Sequence, residues 1–146
     1  MKRLCLLFAA LASISVISCS EPLTDEVFVR KDQKVNGAYE FAVDMTKGEY
    51  SYDLSFYTVI DGTGVTELPL NIEFISPSGT RYAERVSMEV SGMAVDMQLY
   101  RSSLVPVEYG IWTLRVIPMM DIEQMRGLGL ICEKKVIKKK WDTANL

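Results

Sequence analysis

The chain has 146 residues, 16 Lys and Arg against 19 Asp and Glu, and no histidine, giving a formal net charge of −3. That balance argues against nucleic acid as a partner. The absence of histidine removes the commonest general base and transition-metal ligand together and excludes Ser-His-Asp and Cys-His nucleophile arrangements.

Met1-Lys2-Arg3 places two positive charges before a nearly uninterrupted apolar run over residues 4–17. This is the layout of a secretory signal, and the run falls short of the about 20 apolar residues that a membrane helix needs. It ends in Val16-Ile17-Ser18-Cys19, which resembles the lipobox of bacterial lipoproteins: a branched apolar residue, a tolerant position, a small residue, then cysteine. The peptidase needs a small residue beside the scissile bond, and the Cys19 thiol must be free to take a diacylglyceryl group. Ser18 and Cys19 could instead be the small residues of an ordinary signal cleavage site. The lipobox reading outweighs that one, because polar Ser20-Glu21-Pro22 begins at once. The expected partner is therefore a lipid membrane, held through an acylated Cys19, since two or more acyl chains make a stable anchor. Ser20 stands where an acidic inner-membrane retention signal would sit, which points to the outer membrane.

Cleavage before Cys19 leaves 128 residues, enough for one domain with its own core. Residues 19–25 are polar around Pro22 and read as a lipidated tether, residues 26–137 as the domain, and 138–146 as a basic tail. Between residues 19 and 133 nine basic side chains face eighteen acidic ones, whereas Lys134, Lys135, Lys138, Lys139 and Lys140 cluster near the end. Cys5 leaves with the signal and Cys19 is taken by lipid, so Cys132 has no partner for an intrachain disulfide.

Along the domain, apolar residues recur with period two: Tyr39, Phe41, Val43 and Met45; Tyr52, Leu54 and Phe56; Leu70, Ile72 and Phe74; Val86, Met88 and Val90; Trp112, Leu114 and Val116. Polar residues stand between them, such as Glu40, Asp44, Asp53, Glu73, Arg85 and Arg115, so each strand has one wet face. Asn36-Gly37, Lys47-Gly48, Ser76-Pro77-Ser78-Gly79, Ser91-Gly92 and Tyr109-Gly110 punctuate them with turn residues. The pattern predicts an all-β fold, a single antiparallel β-sandwich of jelly-roll or immunoglobulin-like type behind the cleaved lipoprotein signal. Residues 94–100 fit a strand or one helical turn, and 118–126 a crossover loop or a single helical turn before a last strand over 128–133.

No constellation for chemistry emerges. Asp61-Gly62-Thr63-Gly64 lacks the repeated acids of a calcium loop, and Gly127-Leu128-Gly129 lacks the basic residue and helix of a phosphate loop. Gly129 reads as a strand glycine allowing close packing or a bulge. No catalytic residue, metal site, cofactor or small-molecule substrate is expected, and the acids read as solvated strand faces. Trp112, in phase with Leu114 and Val116, reads as core. Tyr50, Tyr57, Tyr100 and Tyr109 are freer in phase and are the candidates for a ligand-binding face, such as a sugar platform. Met88, Met93, Met97, Met119, Met120 and Met125 read as adaptable core filler. Lys134-Lys135 and Lys138-Lys139-Lys140-Trp141 read as a solvated end, with attraction to anionic headgroups as the sharper alternative.

Taken together, the lipobox Cys19, Tyr52-Asp53-Leu54, Leu68-Pro69-Leu70-Asn71-Ile72 leading to Ser76-Pro77-Ser78-Gly79, and Gln124-Met125-Arg126 with Gly129-Leu130-Ile131-Cys132-Glu133-Lys134 resemble the gliding-motility lipoprotein family called GldH-like. The resemblance implies a small accessory lipoprotein of motility or envelope machinery, with envelope proteins as partners and no catalytic residues. The connection before Gly129 is shorter and the extension after it richer in lysine than the family pattern. The alternative is a carbohydrate-binding lipoprotein of the cell envelope.

Overall fold

The computed structural model describes residues 21–62, 64–92 and 95–138. Eight strands account for most of them: β1 (Thr24–Arg30), β2 (Tyr39–Met45), β3 (Tyr50–Ile60), β4 (Glu67–Ile75), β5 (Arg81–Glu89), β6 (Asp96–Leu104), β7 (Gly110–Pro118) and β8 (Met125–Val136). A single 3₁₀ turn, Lys31–Gln33, follows β1. The period-two pattern is realised directly in β2, where Tyr39, Phe41, Val43 and Met45 are buried while Ala42 and Asp44 are exposed.

The strands form two antiparallel four-stranded sheets, ordered β1-β8-β3-β6 and β2-β7-β4-β5, packed face to face as a β-sandwich. Within the sheets β1 pairs with β8, β2 with β7, β3 with β6 and β4 with β5. The chain is thus one long hairpin whose tip is the β4–β5 turn, rolled so that successive pairs fall alternately into the two sheets. This is jelly-roll connectivity, which decides between the two sandwich types that the sequence leaves open. The tip is built by Ser76-Pro77-Ser78-Gly79: Gly79 adopts φ +92°, its N–H donates to the Ser76 carbonyl at 2.9 Å, and the Ser76 hydroxyl accepts the Thr80 N–H at 3.1 Å.

The core is the space between the two inner faces. Sheet β2-β7-β4-β5 contributes Tyr39, Phe41, Val43, Leu70, Ile72, Leu114 and Val116, and the other sheet answers with Tyr52, Leu54, Phe56, Leu128 and Leu130. At one edge β5 and β6 close the sandwich, because Glu84 of β5 accepts hydrogen bonds from the Tyr100 hydroxyl and the Arg101 guanidinium of β6.

Two sequence expectations change, and one choice between alternatives is settled. Strand β1 already begins at Thr24, inside the stretch read as tether, because an edge strand with mostly exposed side chains carries little alternation to announce it. Residues 118–126 take the crossover-loop reading over the helical turn: Ile122 and Met125 are buried, but Met119 and Met120 are exposed on a loop beyond the sheet. Met97 is also exposed, on the outer face of edge strand β6, so of the six methionines read as core filler only Met88 and Met125 are buried, while Met93 lies outside the described residues.

Trp112 is 3% exposed, as its phase predicts. Its ring centroid lies 4.7 Å from that of Phe74, and its indole N–H donates to the Glu108 carbonyl at 2.9 Å. Trp112→Ala should therefore cost roughly 3–5 kcal/mol by urea unfolding followed by circular dichroism; an unchanged midpoint would place the ring outside the core.

Candidate functional site

The four candidate tyrosines sit in different places. Tyr50 opens β3, half-buried against the core. Tyr100 also leans on the core, its ring centroid 5.0 Å from that of Phe56, and burial together with the neighbouring Glu84 carboxylate raises its phenol pKa well above the ordinary value. Tyr57 lies on the opposite, outer face of the same sheet. Its hydroxyl donates to Glu26 at 2.7 Å, and burial followed by that carboxylate pushes its pKa up to about 12. Tyr109 is 58% exposed on the β6–β7 loop, with its hydroxyl against Gly48. The four do not converge on one surface.

The Tyr57 ring is used structurally. In register, Phe28 of β1, Gly129 of β8, Tyr57 of β3 and Met97 of β6 form one cross-strand row. A Cβ on Gly129 would overlap the Tyr57 ring, and one on Gly127 would overlap the Phe28 ring and the Val29 carbonyl. The two aromatic rings, centroids 5.7 Å apart and inclined by 21°, thus lie across a glycine gutter in β8. The outer face of the second sheet is of opposite character. There Arg115 bridges Glu40 at 2.8 Å and Glu73 at 2.6 Å, and Arg81 approaches Glu73 at 3.7 Å.

The end of the sandwich where β1 starts gathers the chain that leads back to Cys19. The Lys134 N–H donates to the Leu23 carbonyl at 2.7 Å, Lys47 of the β2–β3 loop pairs with Glu21, and the Ile137 N–H donates to the Glu49 carbonyl at 2.8 Å. Tyr109 packs on Gly48, and Ser78 of the β4–β5 turn donates to Glu108 at 2.7 Å. Exposed on this end are Leu23, Val105, Val107, Tyr109, Val136 and Ile137. Beside them a cavity of about 170 Å³ opens between Met45, Phe74, Tyr82, Leu104, Val107 and Trp112, with no charged side chain in its wall. Cys19 itself lies outside the described residues, as do the signal segment, Lys139, Lys140 and Trp141.

The opposite end has a different chemistry. A cavity of about 320 Å³ is walled by Lys31, Lys34, Tyr39, Met119, Met120 and Ile122 among others. Its Lys31 ammonium is already engaged, donating to the Ile122 carbonyl at 2.8 Å and pairing with Asp121 at 3.0 Å, while Lys34 stands 5.7 Å from the Tyr39 ring centroid.

Among the described residues no three His, Cys, Asp or Glu side chains are grouped to hold a metal ion, and no helix is long and apolar enough to cross a membrane. Cys132 is buried, and burial pushes its thiol pKa up to about 11, which keeps it protonated and inert near neutral pH. Compared with protein-family models and with curated proteins, the chain matches none.

The apolar end is invisible to strand periodicity because its residues lie in connections between strands. The clue was Val105-Pro106-Val107, apolar residues in a connection where polar ones are the rule. The glycine gutter yields its own test. Gly129→Ala should displace the Tyr57 ring and cost roughly 1–3 kcal/mol, and Tyr57→Ala should cost less in the Gly129→Ala background than alone. Additive costs in that double-mutant cycle, read by urea unfolding, would contradict the overlap.

Proposed function

We propose that the protein is a non-catalytic, membrane-anchored lipoprotein of the cell envelope, carried on an acylated Cys19 in the outer membrane. As the GldH-like resemblance implies, its role is that of an accessory component of motility or envelope machinery, working through protein partners.

The observation that carries this reading is the hydrogen bond from the Lys134 N–H to the Leu23 carbonyl. It fixes the chain to the sheet four residues after Cys19, and four residues span at most about 14 Å. An acyl group on Cys19 would therefore hold a folded domain directly at a lipid surface, with no long linker to let it roam.

The residues behind the resemblance support a scaffold role. The Tyr52 hydroxyl donates to the Lys47 carbonyl at 3.1 Å, Asp53 accepts the Ser103 N–H at 2.8 Å, and Gly129 makes room for the Tyr57 ring. Sugar binding is the weaker reading, since two of the four candidate tyrosines pack against the core and Tyr57 covers a glycine.

Cys19→Ala should abolish incorporation of labelled palmitate and move the protein out of the membrane fraction while leaving the thermal midpoint of its domain unchanged. Labelled fatty acid entering the Cys19→Ala chain would refute the lipobox assignment. Turnover in a hydrolase substrate panel that a single Asp or Glu substitution abolishes would refute the non-catalytic part.

A further inference from the structure

The β6–β7 connection is more apolar than a surface loop has reason to be. Val107 is 83% exposed, Tyr109 58% and Val105 54%, and all three stand at the end of the sandwich where Leu23 and Ile137 are also exposed. Loops normally meet water with polar side chains, and a cluster of large apolar ones marks a surface that is covered in use.

Where the chain leads from this end identifies the cover. Leu23 is bonded to Lys134, and Glu21 is held by Lys47, so the path back to Cys19 is both short and tied down. Polar headgroups add only about 5–8 Å to each side of the hydrocarbon core. A tether of at most about 14 Å keeps this end, even at full stretch, within about 10 Å of that layer.

The charges permit contact as well. Glu21, Asp25 and Asp53 are paired with Lys47, Lys134 and Lys135, and Lys138 follows Ile137 at this end, where the acids Glu49 and Glu108 also stand, Glu108 accepting from the Ser78 hydroxyl. In the sequence Lys139, Lys140 and Trp141 come next, a composition suited to an anionic lipid surface.

We propose that this end of the sandwich is a membrane-contacting surface, with Val105, Val107 and Tyr109 inserted among the lipid headgroups and Leu23 and Ile137 beside them. The inference rests on acylation of Cys19 as read above. It adds an orientation: the strands stand away from the bilayer, and the opposite end, with Lys31, Lys34, Met119 and Met120, points outward to meet partners.

The test uses the whole mature chain, residues 19–146, coupled through the Cys19 thiol to a maleimide lipid in phosphatidylcholine vesicles containing phosphatidylglycerol. Buried Cys132 does not compete for the maleimide. Hydrogen–deuterium exchange is then compared on vesicles and in vesicle-free solution. Exchange over residues 104–110 and 136–138 should slow by about threefold or more, and exchange over 119–122 should not change. Val107→Asp, at a site too exposed to affect folding, should restore the solution rate over 104–110. Unchanged exchange over 104–110 on vesicles would overturn the proposal. Equal slowing in concentrated vesicle-free solution would overturn it too, by assigning the surface to a second copy of the chain. Because coupling is chemical, this result is independent of whether cells acylate Cys19, which the palmitate experiment decides separately.

Discussion

The ladder between β1 and β8 is the constraint on which the structure turns. It joins seven residue pairs from Thr24 with Glu133 to Arg30 with Gly127, tying the first described strand to the last. Strand β8 is also the inner neighbour of β3, so its sheet is incomplete until the final strand is in place. Pairings so distant in sequence carry a large loop-closure cost and make for slow folding. No disulfide assists among the described residues, where Cys132 is a free, buried thiol. Packing between the two inner faces supplies the stability, and the glycines of β8 let aromatic rings from β1 and β3 close over the ladder from outside.

The same ladder orients the molecule. By drawing the beginning of β1 and the end of β8 together, it places Leu23 and Ile137 at one end along with the β2–β3, β4–β5 and β6–β7 connections. The rolled hairpin sends the 3₁₀ turn and the β7–β8 connection to the other end. The two ends accordingly differ: an apolar surface with an uncharged cavity at one, a cavity with two lysines at the other. The sides differ as well. One outer face carries the Glu40–Arg115–Glu73 charge row, and the other exposes Phe28, Met97 and Leu99. Edge strand β6 is irregular where it passes Tyr52 and Leu54, with Ser103 at φ +53° held by Asp53. Such a bulge makes an edge a poor template for further strands.

Much of the fold was legible because half-buried strands write their burial into the sequence. Tyr39 to Met45 and Trp112 to Val116 alternate cleanly, and both lie in the sandwich core with the phase that alternation predicts. Legibility failed at the edges. Strands β1 and β6 bury few side chains, so their residues are under little pressure to alternate, and the exposed Met97 looked like core by residue type alone. The candidate tyrosines illustrate the same limit. Tyr50 and Tyr57 share strand β3 but, being seven residues apart, necessarily point to opposite faces, a consequence of the two-residue period that only a continuous strand makes binding.

By itself the sequence determined the class of the molecule: a sandwich of antiparallel strands, without the side chains for histidine chemistry, because composition and period are local properties of a chain. Tertiary structure alone decided the jelly-roll order, the gutter under Tyr57 and the gathering of Leu23, Val107, Tyr109 and Ile137 at one end. Those depend on which strands pair across the length of the chain, and pairing is set by the collective closure of two sheets over one core, an energy that no short stretch of residues contains.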